Sequence, residues 1–274
     1  MTSRPSILYV TDLSYPARGR RYGDEDVHLA DRLREEFAVA LCHPREAVAL
    51  MDSFDAVLVR NSGPVIHYQA EYEAFRAAAL ERGTLVHNPL TGRGDMAGKQ
   101  YLLDLTAEGH PVIPTVDRLD HLDRLPDVPE YVVKPVLGAD SVGLAFVPRE
   151  ELAGTDLTGA LLQPRIPFRY EVSFYFVDRV FQYALYAPDP DRRWELAVHR
   201  PTGEDLAFAQ RFADWNTLDH GIQRVDACRT PEGGLLLVEL EDLNPYLSLD
   251  LLDPAAREGF VAALKTSLRR SLAR

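Results

Sequence analysis

The run Glu239-Leu240-Glu241-Asp242-Leu243-Asn244-Pro245 holds residues suited to metal and phosphate chemistry. Successive side chains alternate along a strand, so Glu239 and Glu241 share one face. Two adjacent carboxylates repel unless a cation lies between them. Hard oxygen ligands of this kind suit Mg²⁺ bridged to substrate phosphates. Asp226, on the strand before a turn at 231–234, is placed as a cross-strand partner. The plainer alternative is a solvated acidic strand end, but apolar residues 235–238 and Leu240 give the strand a buried character. A second group is Lys134, inside Tyr131-Val132-Val133-Lys134-Pro135. Burying an ammonium among apolar neighbours is costly without a partner. The loop that follows carries Gly138, Ala139, Asp140, Ser141 and Gly143, small enough for backbone N–H groups to approach phosphates. It is not a Walker loop, because no Gly-Lys-Ser/Thr follows the glycines. A hairpin with a snorkelling edge lysine explains the same segment equally well. The third group is Gly98-Lys99-Gln100-Tyr101, at the expected start of a helix, where free N–H groups and the helix dipole favour phosphate. Taken alone, Lys99 reads as a solvated surface lysine. None of the eight histidines belongs to a paired ligand motif, and no Gly-x-Ser-x-Gly elbow marks a serine hydrolase.

These residues need elements to position them. The first third alternates strand and helix: apolar residues 7–10, a helical period over 26–37, strands at 38–41 and 56–59, a helix over 70–81, and a strand at 85–87. That alternation implies a parallel sheet covered by helices. Sites in such sheets lie at the carboxyl ends of strands, which selects Thr11, Asp12, Arg60, Asn61 and Asn88. A helix over 98–108 follows, then a surface connection over 117–129 and two strands within 130–148. Strand-like runs dominate from Leu161, with a hairpin turn at Asp178-Arg179, and an amphipathic helix spans 254–272. The expected class is an α/β N-terminal domain followed by α+β lobes with antiparallel sheet.

Composition removes several alternatives. The chain has 274 residues, net charge −12 and a pI near 5.1, unsuited to nucleic-acid phosphates or an anionic membrane. No apolar run approaches the roughly 20 residues of a membrane span, and the N-terminus lacks the apolar stretch of a signal peptide. Cys42 and Cys228 share no metal-ligand spacing and cannot form a disulfide framework, so a cytoplasmic location is expected. Whether the chain forms a homo-oligomer is open.

The three groups, in this order, resemble the ATP-grasp superfamily over residues 88–248, with weaker similarity toward the N-terminus. The stretches that carry the resemblance are FDAVLVRNS, LVHNPLTGRGDMAGKQYLLDLTAEGHPVIPT, YVVKPVLGADSVGL and RVDACRTPEGGLLLVELEDLNPYLSL. They are most similar to the glutathione-synthetase-like branch, which includes the ribosomal-protein glutamate ligases. Within it they are most similar to the group with the D-cycloserine-forming cyclo-ligase. The resemblance implies ATP and Mg²⁺, as two ions, in a three-lobed architecture: an N-terminal domain over 1–92, a central lid over 93–158 and a core over 159–274. It implies ATP phosphate contacts for Lys99 and Lys134, with Lys134 also approaching the adenine, and a lid loop from Gly138 through Ala139, Asp140 and Ser141 to Gly143. It places Leu162 and Gln163 at the adenine-binding hinge, through their backbone, and Glu171 at the ribose. The metal ligands would be Asp226, Glu239 and Glu241, with Asn244 as the alternative to Glu241.

Three departures from the family pattern stand out. The ending is Glu-x-Glu-x-x-Asn where Glu-x-Asn is usual. Arg60-Asn61-Ser62-Gly63-Pro64 lacks the Trp-Asp-Tyr of relatives. Glu195 stands where an arginine is expected, so Arg192 or Arg193 would have to stabilise the reacting phosphate. Arg60 is the candidate for substrate contact, against a structural salt bridge. The activity implied is ligation of a small-molecule, amino-acid-like carboxylate to an amine through an acyl phosphate. The alternatives are a kinase-type phosphotransfer without ligation and a nucleotide-binding protein without turnover.

Overall fold

The short apolar runs of the first third pair side by side in a parallel sheet. The structure, a computed structural model, describes residues 4–15, 22–60, 67–138, 142–189, 192 and 195–274. Strands β1 (Ser6–Val10), β2 (Ala38–Cys42), β3 (Ala56–Val59) and β4 (Val86–His87) lie in the order β2-β1-β3-β4. All the pairings are parallel. Helices α1 (Tyr22–Leu33), α2 (Ala47–Leu50) and α3 (Gln69–Arg82) connect them. α1 starts before the apolar period does, with Asp24 and Glu25 in its first turn, where carboxylates favour the helix dipole. α3 stops at Gly83, whose φ of 67° is the left-handed cap that glycine adopts without strain.

α4 (Tyr101–Ala107) begins later than the sequence suggests, leaving Lys99 in the lead-in to the helix. The next strands, β5 (Glu130–Pro135), β6 (Ala145–Pro148) and β7 (Ala160–Pro164), form an antiparallel sheet in the order β6-β5-β7. β8 (Tyr170–Val177), β9 (Val180–Ala187), β10 (Ala197–His199), β11 (Ile222–Arg229) and β12 (Leu235–Glu241) form a second antiparallel sheet, ordered β10-β9-β8-β11-β12. Helix α5 (Gly203–Trp215) interrupts these strands, and α6 (Pro254–Leu272) closes the described chain. α5 was not anticipated. Its signals are a capping box between Thr202 and Asp205 and buried Ala209, Phe212 and Ala213 at helical spacing.

The five-stranded sheet is covered on both sides. Phe174, Val225, Ala227, Leu237 and Leu240 pack with Leu102 and Leu105 of α4 and Ala209 and Phe212 of α5. On the opposite side Tyr175, Tyr183 and Leu185 join Phe260 and Leu264 of α6, Leu29 and Leu33 of α1, and Ile7 and Tyr9 of β1. Burial at roughly 25 cal/mol per Å² of apolar surface makes this shared core the main bond between the parallel sheet and the second antiparallel sheet. β7 pairs with β5, so its sheet runs past the expected lobe boundary at 158. α4 packs on the five-stranded sheet, although the expected central lobe contained it. We propose lobe boundaries that follow the three sheets.

Candidate active site

β12 brings its carboxylates to the site through an irregularity that strict alternation does not contain. Asp226 is opposite Glu239 and Arg224 opposite Glu241, but Ala227 is opposite Leu237, so Val238 is an extra residue on β12. The bulge lets Leu235, Leu237 and Leu240 all enter the helix-covered core while Glu239 and Glu241 turn to the other face. The register places Glu171 on that same face, one pleat beyond Asp226, because Ser173 is opposite Asp226 and Glu171 opposite Cys228.

Two lysines reach this face from the neighbouring sheet and its approach. Lys99 is 5% exposed, its N–H donates to the Val136 carbonyl at 2.9 Å, and its ammonium pairs with Glu239. Lys134, on β5 and 8% exposed, donates to the Val238 carbonyl at 3.3 Å, on the bulge itself. The chain after β5 bends closely. Gly143 has φ of 76°, and a Cβ there would meet Pro135 at 2.9 Å, so the position requires glycine. Ala139, Asp140 and Ser141, between Gly138 and Gly143, lie outside the described residues.

Arg224 completes the site and is one of the residues the sequence reading missed. Its guanidinium donates to both oxygens of Asp226 at 2.8 to 3.1 Å, pairs with Glu241, and donates to the Tyr246 carbonyl at 3.1 Å. The available signal was its position two residues before Asp226, which puts both on one face of β11. Arg193, the expected phosphate-stabilising residue, lies outside the described residues. Arg192 is exposed and engaged at 2.8 Å with both Asp189 and Glu195.

Carboxyl groups outnumber the cations in the site. Asp95, Asp226, Glu239, Glu241 and Asp242 lie in or beside the site, against Lys99, Lys134 and Arg224. Burial pushes the Glu241 carboxyl up to about 8, more than Arg224 pulls it down, with Asp226 and Glu239 adding to the rise. Burial also raises Glu239, but Lys99 and Lys134 outweigh it and hold that carboxyl below the usual range. Asp95 is raised well above its ordinary value, by burial first and then by the charges of Asp242 and Glu241. It accepts backbone N–H bonds from Asp242 at 2.7 Å and Leu243 at 3.1 Å, while Asp242 accepts from Gly94 at 2.8 Å and Met96 at 2.9 Å. This interlock fixes the end of β12, and neither aspartate was singled out from the sequence. Surplus carboxyl oxygen in a half-buried site is a donor chemistry that fits a divalent cation.

The remaining expected residues fall as follows. Asn244 lies in the connection beyond β12, half-buried. Among the described residues no three His, Cys, Asp or Glu side chains form a ready metal site, and Lys99 and Arg224 pair with Glu239, Asp226 and Glu241. Leu162 does not offer backbone groups to a ligand: its N–H donates to the Val116 carbonyl at 2.8 Å and its carbonyl accepts from Val116 at 3.0 Å. Gln163 is likewise buried within β7, its amide donating to Thr115 at 2.9 Å. Arg60 is 3% exposed and enclosed by Glu25 at 3.5 Å and Asp26 at 3.7 Å, so it sits in an ion network instead of on an open surface.

The structure superposes on the crystal structure of the D-cycloserine synthetase DcsG with a TM-score of 0.74, 24% identity, and coverage of 96% of this chain and 99% of that one. It superposes on the ATP-grasp ligase PsnB, complexed with a precursor variant, Mg and ADP, with a TM-score of 0.63 and 15% identity over 98% and 99% of the two chains. The chain has the ATP-grasp ligase fold. A D-alanine–D-alanine ligase from Bacillus anthracis, complexed with ATP, matches at a TM-score of 0.67, 13% identity and 98% of both chains. In sequence the chain is related to the cycloserine biosynthesis protein DcsG of Streptomyces lavendulae, 27% identical over 84% of this chain and 88% of the relative. No protein-family model matches. Among the described residues no helix is long and apolar enough to cross a membrane.

Proposed function

We propose that this protein is an ATP- and Mg²⁺-dependent ligase that joins a small, amino-acid-like carboxylate to an amine through an acyl phosphate. The observation that carries the reading is the convergence of buried Lys99 and Lys134 and half-buried Arg224 on Asp226, Glu239 and Glu241, on one sheet face. The relationship to a D-cycloserine synthetase supports a small-molecule substrate, and the PsnB and D-alanine–D-alanine ligase complexes support ATP, ADP and Mg²⁺ as ligands. Asp226, Glu239 and Glu241 would hold Mg²⁺, whose contribution is to neutralise phosphate charge.

The chain's own residues have separable roles in this reading. Lys99 and Lys134 bind phosphate oxygens by charge-assisted hydrogen bonds. The substrate carboxylate attacks the γ-phosphorus, ADP leaves, and the amine then displaces phosphate from the acyl carbon and loses a proton. Arg224 is planar and forked, and it is hung from Asp226 and the Tyr246 carbonyl. It is suited to stabilising the charge that spreads over the transferring phosphoryl group. No protein nucleophile is needed, so catalysis rests on positioning and charge compensation.

The test is a pairwise screen of amino acids and related acids and amines, reading ADP release and product mass. Ligation requires both co-substrates for sustained ADP release, with one product whose mass equals their sum less water. ADP release with a single co-substrate and a phosphorylated product would replace ligation with phosphotransfer. Tight ATP binding with no product from any pair would replace it with binding alone.

A further inference from the structure

The segment that leaves β12 spends its backbone groups on side chains instead of on a sheet. The Pro245 carbonyl accepts from Arg60 at 2.8 Å, and the next carbonyl, that of Tyr246, accepts from Arg224 at 3.1 Å. The Leu247 and Leu249 N–H groups donate to the two oxygens of Glu25 at 3.0 and 3.1 Å. Tyr183 donates to the Leu247 carbonyl at 2.7 Å. Arg60 and Glu25 are themselves 3.5 Å apart, and both are buried. Asp26 flanks Arg60 and is fixed by the Tyr9 hydroxyl at 2.8 Å and the Thr11 hydroxyl at 2.5 Å.

We propose that Arg60 and Glu25 of the N-terminal domain are positioning residues for Arg224, acting through the backbone of residues 245–249. The inference rests on the role given to Arg224 above. The Tyr246 carbonyl and the Leu247 N–H belong to one planar peptide unit, so Glu25, which accepts from that N–H, fixes the plane from which the carbonyl points. The Pro245 carbonyl lies in the unit before it, separated only by the two dihedrals of Tyr246. Arg60 fixes the Pro245 carbonyl and Arg224 hangs from that of Tyr246. Glu25 clamps two N–H groups two residues apart, which fixes the twist of the same strap. A buried ion pair is weak support for stability, because desolvating both charges offsets their attraction. What it supplies here is direction: two forked groups hold one short backbone segment at defined angles. The N-terminal domain thereby sets the orientation of a guanidinium that belongs to another sheet. A fork displaced by about an ångström meets a transferring phosphoryl group poorly.

The experiment uses the full chain with Arg60→Lys, Glu25→Gln, Arg224→Lys and the double variant Arg60→Lys/Arg224→Lys. The activity-independent arm is NMR of the arginine side-chain Nε–H signals, with Arg224 assigned by its absence in Arg224→Lys. The expected result is a sharp, slowly exchanging Arg224 signal in the wild type that broadens or shifts in Arg60→Lys and Glu25→Gln. Leu247 and Leu249 amide exchange should rise in Glu25→Gln. An unchanged Arg224 signal in both folded single variants overturns the proposal. The second arm is ATP turnover. Arg60→Lys should lower kcat about 10- to 100-fold with KM for ATP within about twofold, and adding it to Arg224→Lys should cost little more. Losses that multiply in the double variant assign Arg60 a role independent of Arg224 and overturn the coupling. Absence of any nucleotide turnover in the wild type would refute the proposed function, while the NMR arm still decides the clamp.

Discussion

At the scale of single residues, charge compensation governs what each substitution does. Lys134 is buried, donates to the Val238 carbonyl at 3.3 Å and faces Glu239, so truncation removes a cation from an acidic site. Lys134→Ala is expected to weaken ATP binding by about 1.5–3 kcal/mol, roughly 10- to 100-fold, the range for a hydrogen bond to a charged group. Titration calorimetry of the folded variant checks this, and unchanged affinity removes Lys134 from the nucleotide site. Glu239 behaves differently because it also neutralises Lys99. Glu239→Gln should raise the Mg²⁺ concentration needed for half-maximal turnover and lower kcat at least tenfold. It should also destabilise the fold by about 1–3 kcal/mol, through the partly unpaired ammonium left behind. Normal Mg²⁺ dependence in a folded variant would place the metal elsewhere. Lys134 and the carboxylates stand out in the sequence because lysine in an apolar strand and paired acids on one face are unusual patterns, whereas Lys99 taken alone reads as a surface lysine and enters only through the family resemblance. Arg224 does not stand out, since an arginine within a strand is common and nothing local states that it faces Asp226, Glu241 and Tyr246 together.

At the scale of elements, the long periodic segments were legible and the special backbone positions were not. α6 spans Pro254–Leu272, as its apolar period predicts, and β3 coincides with its apolar run. The bulge at Val238 leaves no compositional trace, yet it decides that Glu239 leaves the core face occupied by Leu237. The pairing of Leu162 was hidden for a related reason: whether its backbone groups are engaged depends on Val116, far away in the chain. α5 could have been found from its capping box, had the strand-like runs on either side not set the pattern. Gly221 is another hidden constraint. Its φ is 126°, and a Cβ there would lie 2.4 Å from the Asn88 side-chain oxygen. That oxygen accepts from the Ile222 N–H at 2.7 Å, and the Asn88 amide donates to the Ile222 carbonyl at 2.6 Å. Gly221→Ala should therefore cost about 2–4 kcal/mol, combining strained backbone with a displaced buried amide. Urea denaturation checks this, and a loss below about 1 kcal/mol would mean that Asn88 has room to retreat.

At the scale of the whole molecule, the parallel sheet and the core sheet meet through a shared apolar core and through polar links, among them a seam at α6. In the seam, His87 of β4 lies 2.9 Å from the Ser267 hydroxyl of α6, which donates to Asp178 at 2.5 Å, and its ring is 5.3 Å from that of His220. Burial lowers the His87 pKa from 6.5 to about 3, with the charges of His220 and Arg60 lowering it further. The folded protein therefore keeps His87 neutral while the unfolded chain protonates it near its ordinary value. A depressed folded pKa means that the contribution is fully present above about pH 6.5. It is lost as pH falls toward 3, because the unfolded state takes up the proton first. The loss is about 1.4 kcal/mol per pH unit across that window, so roughly 2 kcal/mol of stability disappears between pH 6.5 and 5. His220 is shifted in the same direction by burial and adds to the same limb. His87→Asn provides the comparison, since it removes the titrating group from the seam. It should be less stable than the wild type at pH 7.5, where the hydrogen bond to Ser267 is lost, and the gap should narrow as the pH is lowered to 5. Urea midpoints of both proteins across pH 5 to 7.5 measure that gap, and parallel curves would show that His87 can be protonated without separating β4 from α6.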